Sequence, residues 1–430
     1  MSRRVVPRRN PVHTTALRWR SPIRGPWLTS MFALPLLVGM PIVIVTGLLD
    51  WVAYGEGQSI PAREDVGGLH LPLFPWPTDP AWLFRLTEGL HVGLGMVLVP
   101  LVLAKLWSVI PKLFTGPSPD PVRLLERLSL VLLVGSVLFE IVTGLLNIQY
   151  DYVFGFSFYT AHYTGAWVFI AAFVLHVLLK LPTMVRSLRS RSLRAELRTP
   201  LADTRSEPPD DGGLVAPDPD PPTMSRRGAL ALAGGGMLFV GALVVGQFSD
   251  RLRPTALLLP RGRTTDPAPA ERGGPNDFPV NRTFAASGIA PDVVGDGWSL
   301  ELTGGGTPVR LERAALAALP QHTATLPIAC VEGWSTSQTW TGVRLRDLAR
   351  AAGLDPAAVG SATVRSFEVG PFAQATLHAG QVLADDALLA LRVNGAELSR
   401  DHGFPARVIV PALPGVHNTK WVATIGFSRG

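Results

Sequence analysis

AHYTGAWVFIAAFVLHVLLK, residues 161–180, is an apolar run with a histidine near each end, and its reading decides the N-terminal half of the chain. It is long enough to cross hydrocarbon, which takes roughly 20 residues. In lipid such a segment must be a helix, because only a helix satisfies its own backbone groups there. At 100° per residue, the fourteen-residue step from His162 to His176 returns to within about 40° of one face and separates the rings by roughly 21 Å. One helix thus offers an imidazole at two depths of a membrane.

Four more segments share that texture. With the first they predict spans at 27–49, 86–106, 128–146, 158–179 and 228–248. Hydrophobic residues make up 47% of the 430 and charged residues 17%, a balance expected of a membrane protein. The net charge of +6 does not imply nucleic acid, because Lys and Arg gather at the ends of apolar segments rather than in one patch. They lie before the first span (Arg3 to Arg24), between spans two and three (Lys112, Arg123) and after span four (Lys180 to Arg198). The other two loops are poor in such residues, with Arg63 and the span-flanking Arg85 in one and none in the other, so the basic bias predicts a cytoplasmic N-terminus and, after five crossings, an extracytoplasmic C-terminal domain.

The chain divides into a basic N-terminus (1–26), a four-span all-α bundle (27–185), a Pro- and Asp-rich flexible cytoplasmic linker (186–224), a fifth transmembrane helix (225–249), an extracytoplasmic linker (250–275) and a soluble domain (276–430). The last is expected to be mixed α+β and mostly β. WSLELTG, ATVRSF, ALLALRVNG, ARVIVPA and KWVATIGF read as strands between Gly and Pro turns, and VRLRDLARAAGL as a short helix.

His91, in EGLHVGLGM of span two, lies at the depth of His162, with Gly89, Gly93 and Gly95 around it to admit a flat macrocycle. Neutral imidazole is a common axial ligand of haem iron. The bland alternative is polar packing, and ionisable groups within a membrane are usually kept for function. Glu140 in span three is either a proton relay at a quinone site or a structural acid facing Thr143. The pattern resembles the diheme cytochrome b subunits of bacterial formate dehydrogenases and hydrogenases, of the cytochrome b561-like class. That resemblance covers residues 27–180 and implies one or two b-type haems, with His91, His162 and His176 as iron ligands and quinone or quinol as the membrane partner. The family's inner ligand on span one has no counterpart here; the nearest histidine is His13.

The remaining informative stretch is LPIACVEGWSTSQTWTGVRLRDLARAAG, residues 326–353. Cys330 is the only cysteine, so an intrachain disulfide is impossible. It ends an apolar run and begins a Gly- and Ser-containing loop; by itself it could be a small buried hydrophobe. The segment resembles the cysteine loop of the sulfite oxidase family, which includes the periplasmic methionine sulfoxide reductase catalytic subunit. Gly333, Trp340, Gly342, Val343, Leu345, Asp347 and Leu348 follow the cysteine in that family's order, and NDFPVNRTF (276–284) and ADDALLALRVNGAELSRDHGFPARVIVPALPGVHNTKWV (384–422) resemble its entry strand and pterin-covering stretch. The resemblance implies a molybdopterin cofactor, with Cys330 as catalytic molybdenum ligand and Asn281, His402, Arg407, His417 and Lys420 as cofactor-binding residues. Without it, the histidines read as turn residues and the two cations as solvated strand ends. Sulfite-oxidising members carry an arginine five residues after the cysteine, where this chain has Ser335.

The expected function is a membrane-bound molybdenum oxidoreductase that reduces a small S- or N-oxide at the expense of quinol. Alternatives are oxidation of a sulfite-type substrate with electrons passed to quinone, and a non-catalytic electron-transfer or binding module. TMSRRGALALAGGG (223–236) resembles a twin-arginine export signal at Arg226 and Arg227, implying the folded-protein export machinery as a partner; a plain topology anchor is the alternative.

Overall fold

Long uninterrupted helices form wherever the apolar runs were read. In the computed structural model they are α1 (Pro26–Tyr54), α2 (Leu83–Leu113), α3 (Pro121–Asn147), α4 (Phe158–Ser190), the short α5 (Leu193–Arg198) and α6 (Arg226–Phe248). The structure describes residues 19–55, 65–66, 69–70, 74–114, 120–148, 155–210, 213–256, 273–331, 333–370 and 373–430. His13, the basic residues before Trp19, Arg63 and most of the second linker lie outside them. Five of the helices are long and apolar enough to cross a membrane. They bare large apolar side chains such as Val38, Leu178, Leu238 and Phe239, as a face turned to hydrocarbon should.

The chain forms two compact units, and each is described by itself. One comprises 1–38, 98–138 and 168–238. Its interior is organised around Arg226, only 1% exposed. The Arg226 guanidinium lies 3.4 Å from Glu196 and 3.9 Å from Glu207, and donates to the Arg205 carbonyl at 2.9 Å. Glu207 also accepts from the Trp27 backbone N–H at 3.0 Å. Gly25 permits that approach, because a Cβ there would come within 2.4 Å of the Glu207 carboxyl. The flexible linker expected over 186–224 is therefore corrected: its first residues extend α4, and Glu196 and Glu207 fold back onto Arg226. Composition suggested disorder, but buried charge pairing outweighs it.

The other unit comprises 39–97, 139–167 and 239–430. Its C-terminal part is mostly sheet. The strands are β1 (Ser299–Thr303), β2 (Val309–Glu312), β3 (Gln321–Cys330), β4 (Trp334–Arg344), β5 (Val359–Ser366), β6 (Gln374–His378), β7 (Leu388–Val393), β8 (Ala396–Glu397), β9 (Arg407–Ile409) and β10 (Val422–Arg429). One sheet runs β8-β7-β4-β3, with β9 also paired to β7; the other runs β2-β1-β10-β5-β6. Only the β1–β10 pair is parallel among these strands.

The stretch after Cys330 is not the Gly/Ser loop expected. Residues 334–344 form a strand in continuous antiparallel register with β3, from Gln321↔Val343 to Cys330↔Trp334. Its hydroxyl residues form a cross-strand ladder instead of a loop: Thr323 bonds Thr341 and Thr325 bonds Thr339, each at 2.9 Å. The opposite face packs Ala324, Leu326, Ile328 and Trp340 with Leu388 and Ala390 into a buried cluster.

Candidate active site

Cys330 ends β3, in line with Ala324, Leu326 and Ile328, because alternate strand residues share a face. Where the chain passes on to β4, the Gly333 N–H donates to the Cys330 carbonyl at 2.8 Å. Gly333 has φ +78°, a left-handed conformation that glycine adopts without strain. A second loop covers the cysteine: a Cβ on Gly415 would sit 3.1 Å from the Ala329 carbonyl oxygen and 3.6 Å from the Cys330 Cα. The thiol is 2% exposed.

Two buried cations lie within electrostatic reach of it. Arg407 is 6% exposed; it donates to the Asn418 carbonyl at 3.1 Å and lies over the Trp340 ring. Burial pushes its guanidinium down to about 10, and the neighbouring Cys330 opposes that shift. Lys420 donates to the carbonyls of Arg282 and Asp401. Burial pushes its ammonium down to about 7, reinforced by Arg407 and opposed by Glu368, Asp401 and Cys330. Among the described residues neither cation has a carboxylate within ion-pair distance. Two buried cations held directly only by carbonyl oxygens leave positive charge to balance, so this corner fits an anionic ligand that also offers a soft metal to a thiolate.

Residues 287–430 match the oxidoreductase molybdopterin binding domain family. This part of the chain is a molybdopterin-binding oxidoreductase domain. Mitochondrial sulfite oxidase of Drosophila melanogaster is 31% identical over 159 residues, covering 31% of this chain and 28% of that protein. The uncharacterized oxidoreductase YuiH of Bacillus subtilis is 33% identical over 134 residues, covering 31% of this chain and 66% of that protein. Among solved structures, the sulfane dehydrogenase SoxCD of Paracoccus pantotrophus is 23% identical with a TM-score of 0.29, covering 31% of this chain and 38% of its own.

Within the molybdopterin domain the other expected residues differ in what they do. His402 is 1% exposed, with Nε2 2.9 Å from the Asn276 carbonyl oxygen and its ring stacked on Phe278 at 3.6 Å. That ring holds the entry segment in place. His417 is 3% exposed, and its Nδ1 has no partner among the described residues. Burial first, then His378, pushes its imidazole down to about 4. Asn281 is half-buried beside Arg282, whose guanidinium pairs with Glu368 at 2.5 Å. The Arg282–Glu368 pair was missed by sequence reasoning, although NRTF had drawn attention to its neighbour. Ser335 sits opposite Ala329 in the hairpin, buried, with no partner for its hydroxyl.

In the helical part of the same unit, the His91 and His162 rings stand 5.9 Å apart, edge to face. His91 Nδ1 donates to the Val43 carbonyl at 2.9 Å. His162 Nδ1 lies 3.1 Å from both Thr143 Oγ1 and Glu140 Oε2. Such bonds fix the tautomer and leave Nε2 for a metal. Glu140 thus shares the His162 Nδ1 with Thr143, as an acid that orients an imidazole. Gly47 on α1 makes room for the His91 ring, since a Cβ there would approach its Cε1 to 2.5 Å. Gly89 and Gly93 face Phe248 of α6, which corrects their expected role beside a macrocycle. His176, in the other unit, has Lys105, Lys180, Lys112 and Glu126 as its electrostatic neighbours, and its Nδ1 is buried without a partner.

Proposed function

We propose that the chain is a membrane-bound molybdenum oxidoreductase that passes electrons from quinol through a b-type haem to the molybdopterin domain, where a small S- or N-oxide is reduced outside the cytoplasmic membrane. The observation that carries this reading is the anchored pair His91–His162, 5.9 Å apart. With Nδ1 of each ring already bonded, the two Nε2 atoms would be the ones to hold one haem iron. When bound, the molybdenum cofactor supplies oxygen-atom acceptance and two-electron chemistry. Cys330 would hold the metal, and Arg407 and Lys420 would balance the cofactor's negative charge. The overall balance is oxide plus two protons and two electrons, giving the reduced compound and water.

The names of the sulfite oxidase relatives favour a second reading, oxidation of a sulfite-type donor with electrons passed to quinone. Ser335, a neutral buried residue at the position where the resembling family binds its anion, supports the first. The test is haem content. His91→Ala and His162→Ala should each lose at least half of the reduced b-type absorbance of the purified protein. Unchanged absorbance in both variants defeats the reading.

A further inference from the structure

The loop between α1 and α2 does more than connect them. Trp76 is 4% exposed and held at two points: its Nε1 donates to the Ala412 carbonyl at 2.7 Å, and its own carbonyl accepts from Gln381 Nε2 at 3.2 Å. Phe74 stacks on it at 6.4 Å. These two rings, with Gly55, Thr376, His378 and His417, line a cleft of about 100 Å³. That is roughly three water molecules' share of liquid volume. The cleft adjoins the candidate molybdenum corner, because His417 ends the 414–417 turn whose Gly415 packs on Cys330. The His417 Nδ1, buried and without a partner among the described residues, belongs to a lining residue, and such an atom calls for a polar group on a ligand. Among the described residues, those lining the cleft include no Asp, Glu, Lys or Arg.

We propose that this cleft is the substrate pocket and that Trp76, contributed by the helical region, determines its specificity for small uncharged S-oxides. The inference rests on the oxide-reducing reading above. An apolar wall of two aromatic rings suits alkyl groups, and the lining hydroxyl and imidazoles suit one oxygen. The described lining residues carry no cation to pair with an oxyanion such as sulfite, which favours an uncharged oxide. The family match begins at residue 287, so residues 74–76 lie outside the part of the chain shared with that family. Substrate choice would then vary with the helical region to which the domain is joined.

The test uses the full-length, molybdenum-loaded protein in detergent, with dimethyl sulfoxide and the bulkier methyl phenyl sulfoxide. Thr376→Leu narrows the cleft and Trp76→Ala widens it; Phe74→Ala trims an exposed wall residue if Trp76→Ala fails to fold. Thr376→Leu should raise KM for dimethyl sulfoxide at least about tenfold with kcat within about threefold. Trp76→Ala, or Phe74→Ala in its place, should shift the kcat/KM ratio at least about tenfold toward the phenyl compound, a change that mere loss of stability does not produce. Hydrogen exchange of segments 52–55 and 374–381 in the wild type should slow on adding dimethyl sulfoxide. Turnover by the wild type with unchanged KM and unchanged ratio in the variants overturns the pocket. A molybdenum-loaded wild type that reduces neither sulfoxide, while its segments 52–55 and 374–381 are still protected, overturns the oxide-reducing reading instead.

Discussion

Exchanging the sulfur of Cys330 for oxygen replaces a soft metal ligand with a poorer, harder one. Cys330→Ser should therefore lower turnover with an artificial electron donor by at least about 100-fold, with haem absorbance unchanged. Near-normal turnover would remove Cys330 from the metal. The buried histidines give a second prediction. His417 is held near 4 and His402 well below its ordinary value, in both cases first by burial. Both are neutral in the fold, whereas an unfolded chain takes up their protons below about 6.5. Their contribution is fully present above that pH and is lost as pH falls toward 4, by about 3 kcal/mol for His417 alone. The melting-temperature difference between cofactor-free wild type and His417→Gln should shrink from pH 7 to pH 4.5, and a constant difference would contradict the assignment. Cys330, Arg407 and Lys420 were singled out through a resemblance carried by contiguous motifs, and the structure buries all three. The engagement of His402 with Asn276 and Phe278 was not, since those partners lie more than a hundred residues away.

At the level of elements, apolar length alone located all five long helices, though each extends past the expected ends except the C-terminal end of α6 and the N-terminal end of α4. β4 was misread because its Thr and Ser residues suggest a loop until the facing threonines of β3 are known. The start of α6 gives a prediction. Arg226 is buried between two glutamates, so Arg226→Lys should destabilise the fold by roughly 3 kcal/mol, because an ammonium replaces a forked guanidinium. Arg227 is exposed and makes one long contact, to the Leu197 carbonyl at 3.4 Å. Arg227→Lys therefore leaves the fold intact and isolates export. We propose that the pair acts as a twin-arginine signal, so this variant should keep the C-terminal domain from crossing. Protease accessibility in intact spheroplasts decides it: a domain still digestible from outside makes the pair an anchor only.

For the whole molecule, the sequence separated a region of long apolar helices from a redox domain, but its bookkeeping by linear segments missed how the chain is grouped. Residues 39–97 and 139–167 share a compact unit with the molybdopterin domain. In that unit Val92, next to His91, faces Gly333, three residues past Cys330: a Cβ on Gly333 would lie 2.7 Å from the Val92 side chain. No sequence pattern announces such a contact, because it depends on the shapes of two surfaces. It bears on the central claim, that the histidine pair and the cysteine serve one electron path. The direct measurement is rapid mixing of anaerobic, quinol-reduced, molybdenum-loaded protein with excess dimethyl sulfoxide while the reduced haem band is followed. The band should bleach in the wild type within the time of a few turnovers and persist in Cys330→Ser; a wild-type haem that stays reduced while molybdenum is present would contradict the account.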